Sequence, residues 1–214
     1  FDPNHYAKYP AVNRRNWVLS DQYEPGSTFK IITAAAALEE GIVRRDSRFF
    51  DPGFIVVEDR RLKCWRAGGH GSQTFVEAVE NSCNPVFASL ALRMGQQKFL
   101  QYIQAFGFGQ QTGIDFPGEA RGIIPPLARI KNVELATIGF GQGISITPLQ
   151  LLCALSAIAN GGKLLEPRLV KEIRTPDGKE VIKEFEVKTI RQVISEQTAR
   201  ELASILTSVV ENGS

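Results

Sequence analysis

The residues best placed to do chemistry are Ser27 and Lys30, in the stretch YEPGSTFK. The sequence IITAAAAL follows, so from Phe29 to Leu38 this reads as the start of a core helix whose only charge is Lys30. Residues three apart share a helix face, which sets the hydroxyl beside the amine at the helix N-terminus. Burial disfavours an ammonium, and so does the positive end of the helix dipole; both lower the lysine pKa toward neutrality. A neutral amine next to an alcohol is a general base next to a nucleophile, and the helix N–H groups could stabilise an oxyanion. The spacing alone is weak, because serine commonly caps helices and lysine can snorkel to water. The second candidate is Ser82-Cys83-Asn84, where one helix pattern stops and Asn84-Pro85 starts another. Such a loop can insert polar side chains into a cleft, or it can be an ordinary cap.

Other reactive side chains are few. The two histidines are His5 and His70, and a triad with Ser27 or Ser82 would have to use one of them. His70 sits in Gly68-Gly69-His70-Gly71 and reads as a turn-shaping residue. The three cysteines, Cys64, Cys83 and Cys153, exclude a disulfide framework. With no CxxC and no local Cys/His cluster, neither a zinc site nor any other cofactor is expected. Cys64 and Cys83 could pair beside the candidate nucleophile if their backbones approach closely. Cys153 lies in an apolar helix and reads as buried.

The elements that must hold these residues are mostly helices. A helix is predicted from about Ser27 to Glu40, stopped by Gly41. A charged-tip hairpin is predicted at 54–63, and a helix begins near Thr74, where Thr74 and Glu77 make a capping box. Further helices run to about Met94, from Gln97 to Phe106 and over about 129–138. Residues 107–128 form a long Gly/Pro-rich loop. Thr147-Pro148-Leu149-Gln150 opens the clearest helix, with cap, first-turn proline and capping-box glutamine in order. A hairpin is predicted at 168–185, and a last helix follows the cap Ser195. A hydrophobic content of 43% suits a folded domain, and the net charge of +2 is too mild to suggest nucleic acid.

Taken together, the motifs YEPGSTFK, CWRAGGHG, ENSCNPVF, FGFGQQTGIDFPGE, GFGQGISITPLQLL and IANGGKLLEPRLV resemble class B penicillin-binding proteins. The likeness is to the sporulation and division type of endospore-forming Gram-positive bacteria. The resemblance implies an α+β fold of the penicillin-binding-protein transpeptidase and serine β-lactamase kind. Residues 1–214 would be part of one such domain, a helix-rich fragment with short hairpins and much of the central antiparallel sheet missing. It implies Ser27 as acylated nucleophile, Lys30 as its base, Ser82 as proton relay and Asn84 as holder of Lys30 and of a substrate amide. It further implies D,D-transpeptidation of peptidoglycan stem peptides, covalent capture of β-lactams, and a membrane-anchored, extracytoplasmic parent working with a membrane glycosyltransferase. The family's third motif, Lys-Thr-Gly, does not occur in the chain. The 214 residues by themselves are therefore expected to acylate slowly or not at all. Gln111-Thr112-Gly113 is a decoy without the lysine. Glu166-Pro167-Arg168-Leu169 echoes the β-lactamase EPxL, but lies far downstream of Ser27 and lacks the following asparagine. A penicillin sensor that binds without turnover is the non-enzymatic alternative.

Overall fold

The alanine-rich run after Ser27 becomes the central helix of the molecule. A computed structural model describes residues 1–213, and in it α2 (Lys30–Glu39) has Ala34, Ala35, Ala36 and Ala37 fully buried. Small side chains let neighbours approach closely, and α4 (Asn84–Met94), α5 (Gln96–Ala105), α7 (Pro148–Ala159) and α8 (Glu196–Asn212) pack around it. A short α1 (Trp17–Ser20), α3 (Phe75–Glu80) and α6 (Asn132–Ile138) complete the helices. One hydrophobic core runs through all of them except α1, from Phe29 to Ile205.

The helix boundaries follow local chemistry. Thr74 and Glu77 form the capping box of α3, and Thr147 and Gln150 that of α7, with Pro148 in its first turn. The buried Gln150 also donates from Nε2 to the carbonyls of Gln110 (2.7 Å) and Arg121 (2.8 Å). It thereby ties both arms of the 107–128 loop to α7. Ser195 caps α8 by accepting from the Thr198 N–H.

The strands are short and antiparallel, and among the described residues none joins a sheet of more than two strands. Both predicted hairpins form: β2 (Phe54–Val57) with β3 (Arg60–Lys63), and β6 (Glu172–Arg174) with β7 (Val181–Glu184). Two further pairs were not anticipated. β1 (Arg48–Asp51) pairs with β4 (Gly71–Thr74), and β5 (Lys163–Leu165) with β8 (Thr189–Gln192). Each joins segments some twenty or more residues apart with strands of three or four residues, too short for a period-2 pattern to show. The stretch GGKLLEP supplies β5, which pairs with neither strand of the 168–185 hairpin. It pairs with the strand after it, and Glu166 N–H donates to the Lys188 carbonyl at 2.9 Å.

Candidate active site

Ser27 lies in a 3₁₀ turn, Gly26–Phe29, that runs straight into α2. The predicted helix thus starts as a tighter turn, and Phe29, not Ser27, stands at the cap of α2 with no side-chain cap bond. The capping role that could have explained Ser27 is not the one it has. The turn is braced by the GFGQG segment. Gly26 N–H donates to Gly141 O (2.9 Å), Gly143 N–H donates to Glu24 Oε1 (2.9 Å), and Tyr23 and Ile146 exchange backbone bonds at 3.0 Å. Gly141 has φ +82°, and a Cβ there would lie 2.0 Å from the Gly26 carbonyl oxygen. Two of the sequence motifs therefore form one cradle.

Lys30 is buried, 4% exposed, with Nζ at the meeting point of both motifs. Nζ lies 3.1 Å from Ser27 Oγ, 2.9 Å from Ser82 Oγ, and 2.6 Å from both Ser82 O and Asn84 Oδ1. The ammonium also stands over the Phe87 ring, 5.6 Å from its centre. Burial pulls the lysine pKa down to about 8, against a smaller opposing pull from Cys83 and Cys64. The two nearest partners can only accept. A neutral amine has two N–H groups for them, which leaves its one lone pair to accept from the hydroxyl of Ser27 or of Ser82. The geometry therefore suits the free base as well as the ammonium.

The Ser82 loop owes its shape to the end of α3. Ser82 N–H bonds Val79 O and Cys83 N–H bonds Ala78 O, both at 3.0 Å. These are the two bonds of a Schellman ending, whose C′ position usually holds glycine. Here it holds Ser82 at φ +48°, a conformation that costs an L-residue about 1 kcal/mol. Cys83 then serves as N-cap of α4, with Asn84 and Pro85 in its first turn. One backbone motif thus ends a helix, starts the next, and turns Ser82 and Asn84 onto Lys30.

Behind that loop lies a polar cluster that the sequence did not reveal. Asp51 Oδ2 accepts from His70 N–H (3.0 Å), meets His70 Nδ1 (3.0 Å), and accepts from Cys83 Sγ (3.3 Å); Cys64 Sγ lies 3.4 Å from His70 Nδ1. His70 is accordingly more than a turn residue. Its side chain is 1% exposed and bonds Asp51 and Cys64, with no bond to Ser27 or Ser82, so the triad alternative has no counterpart. Cys64 and Cys83 are free thiols rather than a disulfide. Burial pushes both thiols up, Cys83 to about 12. Burial alone would raise the Asp51 carboxyl, but hydrogen bonds from Cys64, Gly53, His70 and Cys83 outweigh it and hold it below its ordinary value. Gly69 makes the approach possible: at φ +78°, a Cβ there would lie 2.3 Å from Asp51 O. The exposed Trp65 covers the cluster, its Nε1–H donating to Asn81 O at 2.9 Å.

The whole chain, residues 1–214, matches the family described as the penicillin binding protein transpeptidase domain. The chain belongs to that family. Among curated relatives it is 50% identical to stage V sporulation protein D of Bacillus subtilis, over all of this chain and 33% of that protein. It is 36% identical to penicillin-binding protein PbpB of Mycolicibacterium smegmatis, over 90% of this chain and 30% of that one. The chain thus spans about a third of their length. Solved transpeptidases share the fold. Penicillin-binding protein 3 of Mycobacterium tuberculosis, complexed with aztreonam, superimposes with a TM-score of 0.84 at 32% identity, over 98% of this chain and 47% of that one. The D,D-transpeptidase domain of a peptidoglycan glycosyltransferase from Eggerthella lenta gives 0.85 at 30%, over 93% and 51%.

Within this chain both decoy motifs have other partners. Glu166 pairs with Lys188 at 2.6 Å, and Thr112 N–H donates to Glu119 within the 107–128 loop (2.7 Å). Cys153 is half-buried on α7 rather than fully so, with its thiol pushed up to about 11. No helix among the described residues is long and apolar enough to cross a membrane.

Proposed function

We propose that this chain carries the acylation machinery of a peptidoglycan D,D-transpeptidase. The observation that supports it best is Lys30 Nζ within hydrogen-bond reach of the Ser27 and Ser82 hydroxyls at once. Ser27 Oγ attacks the carbonyl of a terminal D-Ala–D-Ala bond while its proton passes to Lys30 Nζ. The C–N bond breaks, and the departing D-alanine amine takes a proton from Ser82 Oγ, which Lys30 replenishes. The product is an ester on Ser27. An amine of a neighbouring stem peptide attacks that ester, the C–O bond breaks, and the Ser27 hydroxyl regains a proton. Asn84 Oδ1 orients Lys30, and its amide NH₂ is available to a substrate carbonyl. A β-lactam takes the same path, but its leaving nitrogen stays tethered to the acyl group and blocks the second amine.

The substrate places the work where peptidoglycan is assembled, on the outer face of the cytoplasmic membrane, beside a membrane glycosyltransferase. Because the chain contains no Lys-Thr-Gly, these residues by themselves acylate slowly or not at all. The deciding experiment is to expose the protein to benzylpenicillin, digest it and weigh the peptides. The drug's mass is expected on the peptide spanning Tyr23 to Lys30 and lost in Ser27→Ala. Its appearance on any other peptide, or its persistence in the variant, rejects Ser27 as nucleophile.

A further inference from the structure

We propose that the hollow between β1, β2 and α4 is a second binding site for peptidoglycan, which takes the carboxylate end of a stem peptide. The inference rests on the D,D-transpeptidase reading above, which supplies the ligand. The cavity holds about 230 Å³, below the range of drug-sized pockets and suited to the end of a peptide. Two exposed guanidiniums line it, Arg48 from β1 and Arg93 from α4. Its walls are apolar, with Phe50, Phe54, Ile55 and Pro85 among them.

The two arginines lack the partners that others have. Arg15, Arg60, Arg174 and Arg200 each meet a carboxylate; among the described residues Arg48 and Arg93 meet none. Glu77 lies within electrostatic reach of Arg48, yet its carboxylate is taken by the N–H and hydroxyl of Thr74. Arg93 stands over the Phe49 ring, 5.3 Å from its centre, and beside the cavity Arg61 stacks on Phe54 at 3.5 Å. Shielding the rings accounts for the guanidinium faces but not for the N–H donors, which lie in the guanidinium plane. The stack therefore fixes Arg93 with its donors free, as a planar fork that matches a carboxylate. Phe50, 70% exposed, stays uncovered beside them, and aromatic residues with arginine are the composition of binding surfaces. Ser89 adds an acceptor. Its hydroxyl donates to Val86 O at 2.7 Å, so its oxygen can accept an N–H. The hollow thus offers donors for a carboxylate, an acceptor for a peptide N–H and apolar walls for a methyl group. The D-alanine end of a stem peptide presents those three groups together, whereas a phosphate would leave the acceptor and the walls unused.

Val86, Ser89 and Arg93, three and seven positions apart, recur on one face of α4, while Asn84 Oδ1 and the Phe87 ring meet Lys30 from another. The hollow is therefore separate from the acylation site, and a peptide end held there touches no reacting atom. It tethers the polymer and so raises the concentration of neighbouring stem peptides around Ser27.

The test titrates N-acetyl-D-alanyl-D-alanine into the isotope-labelled chain and follows its backbone amides by NMR. The Phe50 and Ser89 signals are expected to shift with a Kd of roughly 1 mM. The same peptide with its C-terminus amidated is expected to leave them in place. Arg93→Gln and Arg48→Gln change exposed side chains, so their spectra should otherwise match the parent's. Each should weaken binding by at least about tenfold, the scale of a hydrogen bond to a charged group. Signals that do not move by about 10 mM peptide overturn the proposal. Equal binding of the amidated peptide, or unchanged binding by both variants, overturns it too. So does a response of the same signals to inorganic phosphate and not to the peptide. Benzylpenicillin labelling of Ser27 is read separately. Phe50 and Ser89 shifts without that label reject the nucleophile and keep the hollow, and the label without those shifts does the reverse.

Discussion

In the proposed mechanism Lys30 is the base, and its burial makes two opposite demands. As a base it must lose its proton, which a pKa of about 8 permits for roughly a tenth of molecules at pH 7. The acylation rate is therefore expected to climb about tenfold per pH unit below 8 and to level off above it, as measured by stopped-flow with a chromogenic cephalosporin. A plateau already reached at pH 6 contradicts a lysine base of this pKa. For stability the sign runs the other way from a salt bridge. The folded-state pKa lies below the ordinary 10.5, so the unfolded chain binds the extra proton between pH 8 and 10.5. Below 8 the full penalty of burying the charge applies, and it lifts as pH rises through that window. Urea unfolding should gain about 1.5 kcal/mol between pH 8 and 9.5 relative to Lys30→Met, in which no such group titrates. Equal slopes in the two proteins would show that Lys30 is not desolvated as its 4% exposure indicates.

The junction of α3 and α4 is where an element's backbone rules meet the needs of the site. Its C′ position prefers glycine, yet it holds Ser82 with φ +48°. A residue kept against backbone preference is kept for its side chain, here a hydroxyl 2.9 Å from Lys30 Nζ. Ser82→Gly and Ser82→Ala separate the two roles. Both remove the hydroxyl, so both should lower acylation by about 10²-fold, the low end of what a positioned proton donor contributes. Only glycine relieves the backbone, so Ser82→Gly should be more stable than Ser82→Ala by about 1 kcal/mol in denaturant unfolding. If Ser82→Gly kept normal acylation, the hydroxyl would be a by-product of the turn. If the two variants were equally stable, the turn would be unstrained.

At the scale of the whole molecule, what the sequence showed and what it hid divide by sequence distance. The capping boxes at Thr74 and Thr147, the hairpin tips at Glu58 and Gly178, and the Ser27/Lys30 pair are local patterns, and each was legible. The Ser82-x-Asn84 signal was local too, although its approach to Lys30 needed the fold. Asp51 was missed because a lone aspartate at a strand end has no pattern. It acquires meaning when Gly69 lets the His70 segment close on it, and Trp65 and the β1–β4 pair were missed for the same reason. The elements that gather these distant residues depend on one core, and α8 is the helix that closes it. Leu202, fully buried in α8, belongs to that core, and α8 packs against α2, α3 and α7. Leu202→Ala should cost about 2–5 kcal/mol, the range for truncating a large buried aliphatic side chain. Because α8 holds α2 and α3 together, the loss should appear in the whole molecule rather than as fraying of one helix. Trp65, far along the chain from Leu202, reports on this once Trp17 is replaced by phenylalanine. Its fluorescence and the far-ultraviolet circular dichroism should move to lower urea together. A variant in which part of the helical signal melts early while Trp65 keeps its native transition would show that α8 folds as a separate unit, and that the site does not depend on it.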